Sequence, residues 1–149
     1  WGRPWTEPLV SQRKAAMSTT TSTGTVREIW PLLFVDDIAG SLEFYCDRLG
    51  FEIIAEARDG DRLYWCRLLR DAASLMLQQA EAEDGDLSHR GRGVVFYFLC
   101  DDADAMHADL TTRGLKLPPP QTAEYGMRQV EVVDPDGYNL CFESEVEPQ

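Results

Sequence analysis

Apolar and polar positions follow one pattern twice along this chain, and a short linker separates the second copy from the first. In each copy an apolar run ends at two aspartates, Asp36-Asp37 and later Asp101-Asp102, and a glycine follows at a similar spacing, Gly50 or Gly114. One constant offset in residue number superimposes several landmarks: Asp102 on Asp37, Asp136 on Asp71, Cys141 on Met76 and Val95 on Trp30. A shared offset at independent positions predicts an internal repeat.

Each copy is predicted to fold as β-α-β-β-β, from strand-like alternation, helical apolar spacing and the turn residues between them. The first copy has predicted strands Glu28–Val35, Phe51–Ala57, Arg62–Leu69 and Ser74–Gln79, and a helix whose apolar stripe runs from Ile38 to Leu49. The second has predicted strands Gly93–Cys100, Leu115–Leu117, Met127–Val133 and Tyr138–Ser144, and a helix over Ala103–Arg113. Asp37 or Ser41 can cap the first helix at its start, and Gly50 and Gly114 suit the helix ends.

The 149 residues suffice for one domain with a proper core. We place the domain at 28–145, with module one at 28–80, a linker at 81–92 and module two at 93–145. Residues 1–27 contain a polar low-complexity run and form a separate N-terminal arm, which we expect to be poorly ordered unless it packs on a partner subunit. Met17 resembles a start, so we interpret the residues before it as an over-called or vector-derived extension.

The net charge of −12 excludes a nucleic-acid partner, whose phosphates require a basic face. The charge is uneven: residues 1–27 have four cationic residues against one carboxylate, a net +3, which leaves −15 on the remainder. An acidic domain favours cationic or neutral ligands, although solubility alone also explains such a surplus.

The apolar runs and the cysteines also indicate the cellular compartment of the protein. No apolar run approaches the roughly 20 residues that span a bilayer, so no membrane partner is expected. Cys46, Cys66, Cys100 and Cys141 lie in predicted helix or strands without paired spacing. We expect reduced, buried thiols in a cytoplasmic protein.

The tandem βαβββ modules and two strings of residues resemble the vicinal oxygen chelate superfamily, which contains glyoxalase I, extradiol dioxygenases, fosfomycin-resistance enzymes and bleomycin-resistance proteins. The first string runs from Phe34-Val35-Asp36-Asp37-Ile38 through Ser41-Leu42-Glu43-Phe44-Tyr45 to Leu49-Gly50-Phe51-Glu52. The second is Tyr125-Gly126-Met127-Arg128 followed by Asp134-Pro135-Asp136-Gly137-Tyr138, whose Pro and Gly suit a tight hairpin turn. The resemblance covers about residues 28–145 and implies an α+β fold in which two modules form a cupped mixed β-sheet with the helices outside.

The resemblance also implies where a metal would be bound. The metalloenzymes of the family place His or Glu ligands on strands that face the cup, and those positions here are Trp30, Met76, Val95 and Cys141, with Ser74 or Gln78 as alternatives after a two-residue slip. None is His, Asp or Glu, so no metal and no cofactor are expected. His107, predicted on the solvent face of the second helix, and His89, in the linker, are expected to be surface residues.

Strand alternation predicts what lines the cup instead. The predicted ligand-binding residues are mainly apolar and aromatic with a few amides: Trp30, Leu32, Phe34, Met76, Gln78, Val95, Tyr97, Met127, Gln129, Glu131, Asn139, Cys141 and Glu143. Glu143 and Glu131 are candidate counter-charges for a cation, or simply exposed residues at a sheet end. Either Tyr64 and Cys66 or Trp65 and Arg67 face the cup. A collapsed, dry core is the alternative to a pocket.

These features predict a metal-free protein that binds a small hydrophobic or cationic molecule, similar to the bleomycin-resistance branch, with no catalytic residues. Aromatic walls beside carboxylates suit a planar cation. The resemblance implies a homodimer in which sheets of both subunits border each pocket. Two alternatives remain: a metal-dependent lyase, isomerase or dioxygenase of the same superfamily with displaced ligands, and an interaction module whose cup is only a dimer interface.

Overall fold

The computed structural model describes residues 24–146, and its α+β architecture confirms the two βαβββ modules. Module one contains β1 (Leu32–Val35), helix α1 (α-helical over Ile38–Leu42 and π-helical over Glu43–Arg48), β2 (Glu52–Asp59), β3 (Arg62–Arg70) and β4 (Ala73–Gln79). Module two contains β5 (Val95–Leu99), helix α2 (Ala103–Thr112), β6 (Gln121–Thr122), β7 (Met127–Val133) and β8 (Asn139–Glu145). The predicted arm lies outside the described residues as far as residue 23.

Each module forms its own four-stranded mixed sheet, in the order β1-β4-β3-β2 and β5-β8-β7-β6. The first strand of each sheet runs parallel to the last, and the other pairs are antiparallel. Leu32 pairs with Met76, and Tyr97 pairs with Cys141. Tyr97 and Cys141 are separated from Leu32 and Met76 by the same offset that relates the landmarks of the two sequence copies. The repeat in the sequence is therefore also a repeat of strand register.

Two predicted strands were partly or wholly wrong. Strand β1 begins at Leu32 rather than Glu28, because Pro31 has no N–H for the ladder and directs the preceding residues away from the sheet. Leu115–Leu117 is not a strand. Leu115 and Leu117 pack against the core, so this short run is apolar although it pairs with no strand. The strand of this region, β6, forms farther along the chain and pairs with β7. Other predicted boundaries differ by two residues or fewer.

The two modules share one hydrophobic core, formed by the sheet faces that carry the helices. Apolar side chains of both modules are buried there, among them Tyr45, Leu49, Leu68, Leu77, Leu110 and Leu140. Phe51 of module one meets Phe98 of module two edge-on, with ring centroids 6.0 Å apart. No helix within residues 24–146 is long and apolar enough to cross a membrane.

A buried hydrogen bond joins helix α1 to the tight turn of module two. The Tyr45 hydroxyl donates to Asp134 Oδ2 at 2.8 Å, and Asp134 Oδ1 accepts from the backbone N–H groups of Asp136 and Tyr138. Burial, and then the Asp134 charge, raise the pKa of Tyr45 far above its ordinary value near 10. Burial likewise raises the pKa of Asp134, against the opposing effect of its hydrogen-bond donors. The Asp-Pro-Asp-Gly segment therefore forms the tight turn that its Pro and Gly predict.

An arginine from each module also contacts the helix end of the other module. Gly50 and Gly114 take the predicted left-handed conformation, with φ of 73° and 96°. Arg48 donates to the carbonyl oxygen of Arg113, and a Cβ on Gly50 would lie 3.0 Å from the Arg113 guanidinium. The glycines therefore provide both the turn and the space that the arginine from the other module occupies.

We predict that Tyr45→Phe lowers the free energy of unfolding by about 1–3 kcal/mol at pH 7, because it leaves the buried Asp134 carboxylate without one of its donors. Chemical denaturation measures this loss. The control is Tyr64→Phe, a 39 % exposed tyrosine on β3, which should change stability by less than about 0.5 kcal/mol. Equal effects of the two substitutions would contradict the assignment.

The same hydrogen bond predicts an alkaline dependence of stability. Because folding raises the pKa of Tyr45 above 10, its contribution is complete below pH 10 and is lost as the pH rises above that value. The free energy of unfolding of the wild type should therefore fall above pH 10 by about 1.4 kcal/mol per pH unit more steeply than that of Tyr45→Phe.

Candidate functional site

The candidate site is formed by the two sheet faces that point away from the shared core. Residues paired directly on neighbouring strands point to the same side of a sheet. Cup face one comprises two such rows, with Leu32, Met76 and Arg67 in one and Phe34, Gln78 and Trp65 in the other. Cup face two comprises three rows, with Tyr97, Cys141 and Glu131 in one, Leu99, Glu143 and Gln129 in the next, and Val95, Asn139 and Val133 in the third.

This register places the predicted site residues other than Trp30 on these two faces. It also resolves the open question about β3, because Arg67 is paired with Met76 and Trp65 with Gln78. Trp65 and Arg67 therefore lie on cup face one, and Cys66 is buried in the core. Met127 has the strand parity of Gln129 and lies at the start of β7.

Trp30 differs from its expected place, because it precedes β1 and is not a strand residue. The guanidinium carbon of Arg67 lies 3.3 Å from the centroid of the Trp30 ring, although β4 separates β1 from β3 in the sheet. Trp30 therefore extends across cup face one. Its indole N–H donates to Glu28 Oε2 at 2.6 Å, and Glu28 is also 3.8 Å from an Arg67 nitrogen. Strand alternation could not predict these contacts.

Cup face two contains a polar cluster around Glu143. Glu143 Oε2 accepts from Gln129 Nε2 at 2.9 Å and from the Tyr125 hydroxyl at 3.2 Å. Partial desolvation, followed by the charge of Glu143 and contact with Tyr97, raises the pKa of Tyr125 to about 12. Tyr125 is therefore a neutral hydrogen-bond donor at physiological pH. Sequence reasoning missed it because it lies in a turn outside the strands.

Cup face two is open in the single chain. Val95, Tyr97 and Leu99 of β5 are 46 %, 56 % and 77 % exposed. Side chains that pack a dry core are not so exposed, so within this chain the face is not a collapsed core. Contiguous apolar exposure beside half-buried polar groups is typical of a binding surface or a subunit interface.

The contacts that join the modules lie at the core and at the module junction. Arg90 of the linker donates to Asp36 Oδ1 at 2.6 Å and to the Phe34 carbonyl oxygen at 3.3 Å, and the Tyr138 hydroxyl donates to the same carbonyl at 3.0 Å. With Tyr45–Asp134 and Phe51–Phe98, these contacts hold the modules through their core sides. The side chains of the cup faces, except the buried Cys141, remain partly or fully exposed to a ligand or to a second copy.

The residues at the family's metal positions do not fit a metal centre. Trp30 and Val95 offer no donor of the kind that divalent ions require. Met76 offers only a thioether, which suits soft ions, and burial raises the pKa of the Cys141 thiol to about 11, which opposes formation of a thiolate ligand. Among residues 24–146, no three His, Cys, Asp or Glu side chains come together as a possible metal site.

The remaining candidate groups are accounted for by the structure. His89 is exposed, as predicted, whereas His107 is half-buried, with Nε2 3.4 Å from the Leu117 carbonyl oxygen. Cys66 and Cys141 are as buried as expected, but Cys46 and Cys100 are only half-buried, and the four thiols are free. A cavity of about 340 Å³ between the modules is lined by Gly50, Glu52, Leu69, Arg70, Asp71 and Arg113, and shares no residue with the predicted site.

Solved structures at low sequence identity share this fold. A glyoxalase/bleomycin resistance protein/dioxygenase from Nocardioides is 18 % identical, with 85 % of this chain and 89 % of that chain covered and a TM-score of 0.61. The bleomycin resistance determinant encoded on transposon Tn5 is 22 % identical (80 % and 98 % covered, TM-score 0.63). A bleomycin-binding protein complexed with bleomycin is also 22 % identical (81 % and 100 % covered, TM-score 0.62).

Family membership is established by the sequence itself. No curated protein matches the chain. A family model, however, matches residues 27–142, which span both modules from just before β1 to within β8. The chain therefore belongs to the Glyoxalase/Bleomycin resistance protein/Dioxygenase superfamily.

Proposed function

We propose that this protein binds a small aromatic or cationic molecule without a metal and neutralises it by sequestration. The observation that carries the proposal is cup face two, where exposed Tyr97 and Tyr125 stand beside the half-buried carboxylate of Glu143. Membership of a superfamily that includes bleomycin resistance proteins, and a similar fold in a bleomycin-binding protein, support the same class of function.

The chemistry of cup face two favours a cation. Glu143 is hydrogen-bonded to the neutral side chains of Tyr125 and Gln129, so its negative charge is stabilised but not cancelled. Aromatic rings attract cations through their negative faces, and a carboxylate beside them strengthens that preference. Glu131 adds a second carboxylate one row away. The net charge of −12 attracts the same kind of ligand from a distance.

A homodimer is part of the proposal. In one chain the apolar side chains of β5 remain in contact with water, and a second copy would cover them at little energetic cost. A pocket bordered by two subunits would also be deeper than either open face, and ligand pockets typically bury most of the ligand's surface. The two open faces therefore support a site completed between subunits.

The exposure of the apolar side chains of β5 also favours one alternative function. Leu99, at 77 % exposed, suits a subunit interface as well as it suits a ligand, so the cup could act only in assembly. A dimer that binds no small molecule would support this alternative. The metal-dependent enzyme of the same superfamily is not supported, because the residues at the metal positions lack suitable donors.

We predict that Glu143→Gln weakens binding of cationic ligands about tenfold and leaves neutral aromatic ligands within about twofold, since a charge-assisted contact contributes roughly 1.5–3 kcal/mol. Ligands would first be found by thermal shift against bleomycin, aromatic cations and neutral aromatics. Binding at 100 times the dissociation constant adds about 2.7 kcal/mol of stability. Calorimetry then compares the proteins.

The matched control is Glu124→Gln, which removes the same charge from an exposed residue beside Tyr125. It should bind cations as the wild type does. Equal weakening by both substitutions would mean that net charge, and not a specific carboxylate, attracts the ligand. Wild-type affinity in both variants would mean that the ligand does not bind at Glu143.

We predict a homodimer, with a light-scattering mass twice the 16.9 kDa of one chain at micromolar concentration. Leu99→Arg should shift the mass toward the monomer, because it puts a charge into the apolar contact. Thr111→Arg, on the exposed surface of α2, adds the same charge and should leave the dimer intact. A wild-type mass equal to that of a single chain would reject the dimer.

We also predict that protein purified without chelator contains well under one equivalent of Zn, Ni, Fe or Mn, because the residues at the family positions do not suit these ions. Elemental analysis measures this directly. About one equivalent of any of them, lost when a cup-face residue is substituted, would contradict the prediction and favour the enzyme alternative.

A further inference from the structure

We propose that Trp30 and Glu28 form a subsite for a planar organic cation, which Arg67 of the same chain occupies until a ligand displaces it. This inference rests on the proposed function, and it specifies the ligand as a flat, delocalised cation. It also makes Arg67 an internal competitor of the ligand.

The contacts around Trp30 have the composition of a cation-binding site. One wall is the face of the indole ring, with the Arg67 guanidinium carbon 3.3 Å from its centroid. The other is the carboxylate of Glu28, which accepts from the indole N–H at 2.6 Å and lies 3.8 Å from an Arg67 nitrogen. An aromatic face beside a carboxylate attracts cations by both the ring quadrupole and charge. The guanidinium shows which ligand shape fits, because it is itself planar and delocalised.

The subsite is accessible and its parts can separate. Trp30 is 43 % exposed, and the side chain of Glu28 is 63 % exposed. Pro31 ends the β-ladder just before Leu32, so the residues that present Trp30 are outside the sheet. Arg67 also donates to the hydroxyl of Ser74 at 2.9 Å. That contact keeps the long side chain beside the subsite, where it can return when the ligand leaves.

The repeat provides an internal comparison. Arg67 pairs with Met76 on β4 as Glu131 pairs with Cys141 on β8, so the two residues occupy equivalent places in the two modules and have opposite charges. The counterpart of Trp30 is Val95, which is a regular strand residue paired with Asn139. Module two therefore lacks the aromatic–arginine contact, and no ion pair within residues 24–146 involves Glu131 or Glu143. Module one, in contrast, has a cation already in place.

An internal competitor lowers the apparent affinity by the fraction of molecules in which the site is free. From the usual strength of a partly exposed cation–π contact, removing Arg67 should tighten binding of a planar cation roughly 2- to 30-fold. The probe is 1-methylquinolinium, with uncharged quinoline at pH 8 as its neutral counterpart. Calorimetry on wild type and Arg67→Met measures both, and thermal melting checks that each variant is folded.

The matched control is Arg62→Met, on the same strand but of opposite parity, where the arginine pairs with Glu81. It removes the same positive charge from the protein without freeing the subsite. Arg67→Met should bind 1-methylquinolinium more tightly than Arg62→Met does, and Trp30→Ala in the Arg67→Met background should abolish the gain. Equal affinities of the two arginine variants, a gain that survives without Trp30, or no binding by any variant would overturn the inference.

Glu143→Gln separates this inference from the proposed function. Weakening by Glu143→Gln with no effect of Arg67→Met would keep the ligand on cup face two and overturn the subsite at Trp30. Tightening by Arg67→Met with no effect of Glu143→Gln would support the subsite and remove Glu143 as the counter-charge.

Discussion

The arrangement of this protein depends on the buried hydrogen bond between Tyr45 and Asp134. A carboxylate that is only 4 % exposed must have donors, and Asp134 obtains them from the Tyr45 hydroxyl and from two backbone N–H groups of its own turn. One side chain therefore closes the β7–β8 turn and fixes it to the first helix. Because that helix and that turn belong to different modules, the bond also joins the modules. Tyr45 packs edge-on against Phe51, which in turn meets Phe98 of module two.

Locking the modules through their core sides determines where a ligand can bind. The opposite sheet faces cannot be covered by the same contacts, so their aromatic and charged residues remain at the surface. The repeat then allows the two faces to diverge. Arg67 and Glu131 stand at equivalent points of register with opposite charges, and only module one has a tryptophan that extends across its sheet. Two modules with one backbone plan thus present two chemically different surfaces.

The repeat, the helices and most strands could be predicted from sequence, because caps, turns and alternation are local signals. The face of β3 could not, since Trp65 and Leu68 make both of its sides apolar and only pairing with β4 decides between them. Leu115–Leu117 resembled a strand because burial makes any short run apolar. Tyr125 stood out only as part of the family string, and its contact with Glu143 could not be predicted, since it depends on where the turn at Gly126 places the side chain. The site residues outside regular strands were therefore the hardest to predict.

Replacing the metal ligands changes what the remaining carboxylates can do. In a metal site the ion cancels the charge of its ligands and would repel an organic cation. Here Met76 and Cys141 occupy the family's metal positions on β4 and β8. The Cys141 thiol stays protonated at neutral pH because burial raises its pKa to about 11. The donors that Glu143 has within residues 24–146 are uncharged, so its negative charge is not cancelled beside Tyr97 and Tyr125. A cup of this composition is suited to attract an organic cation directly, without an ion between ligand and protein.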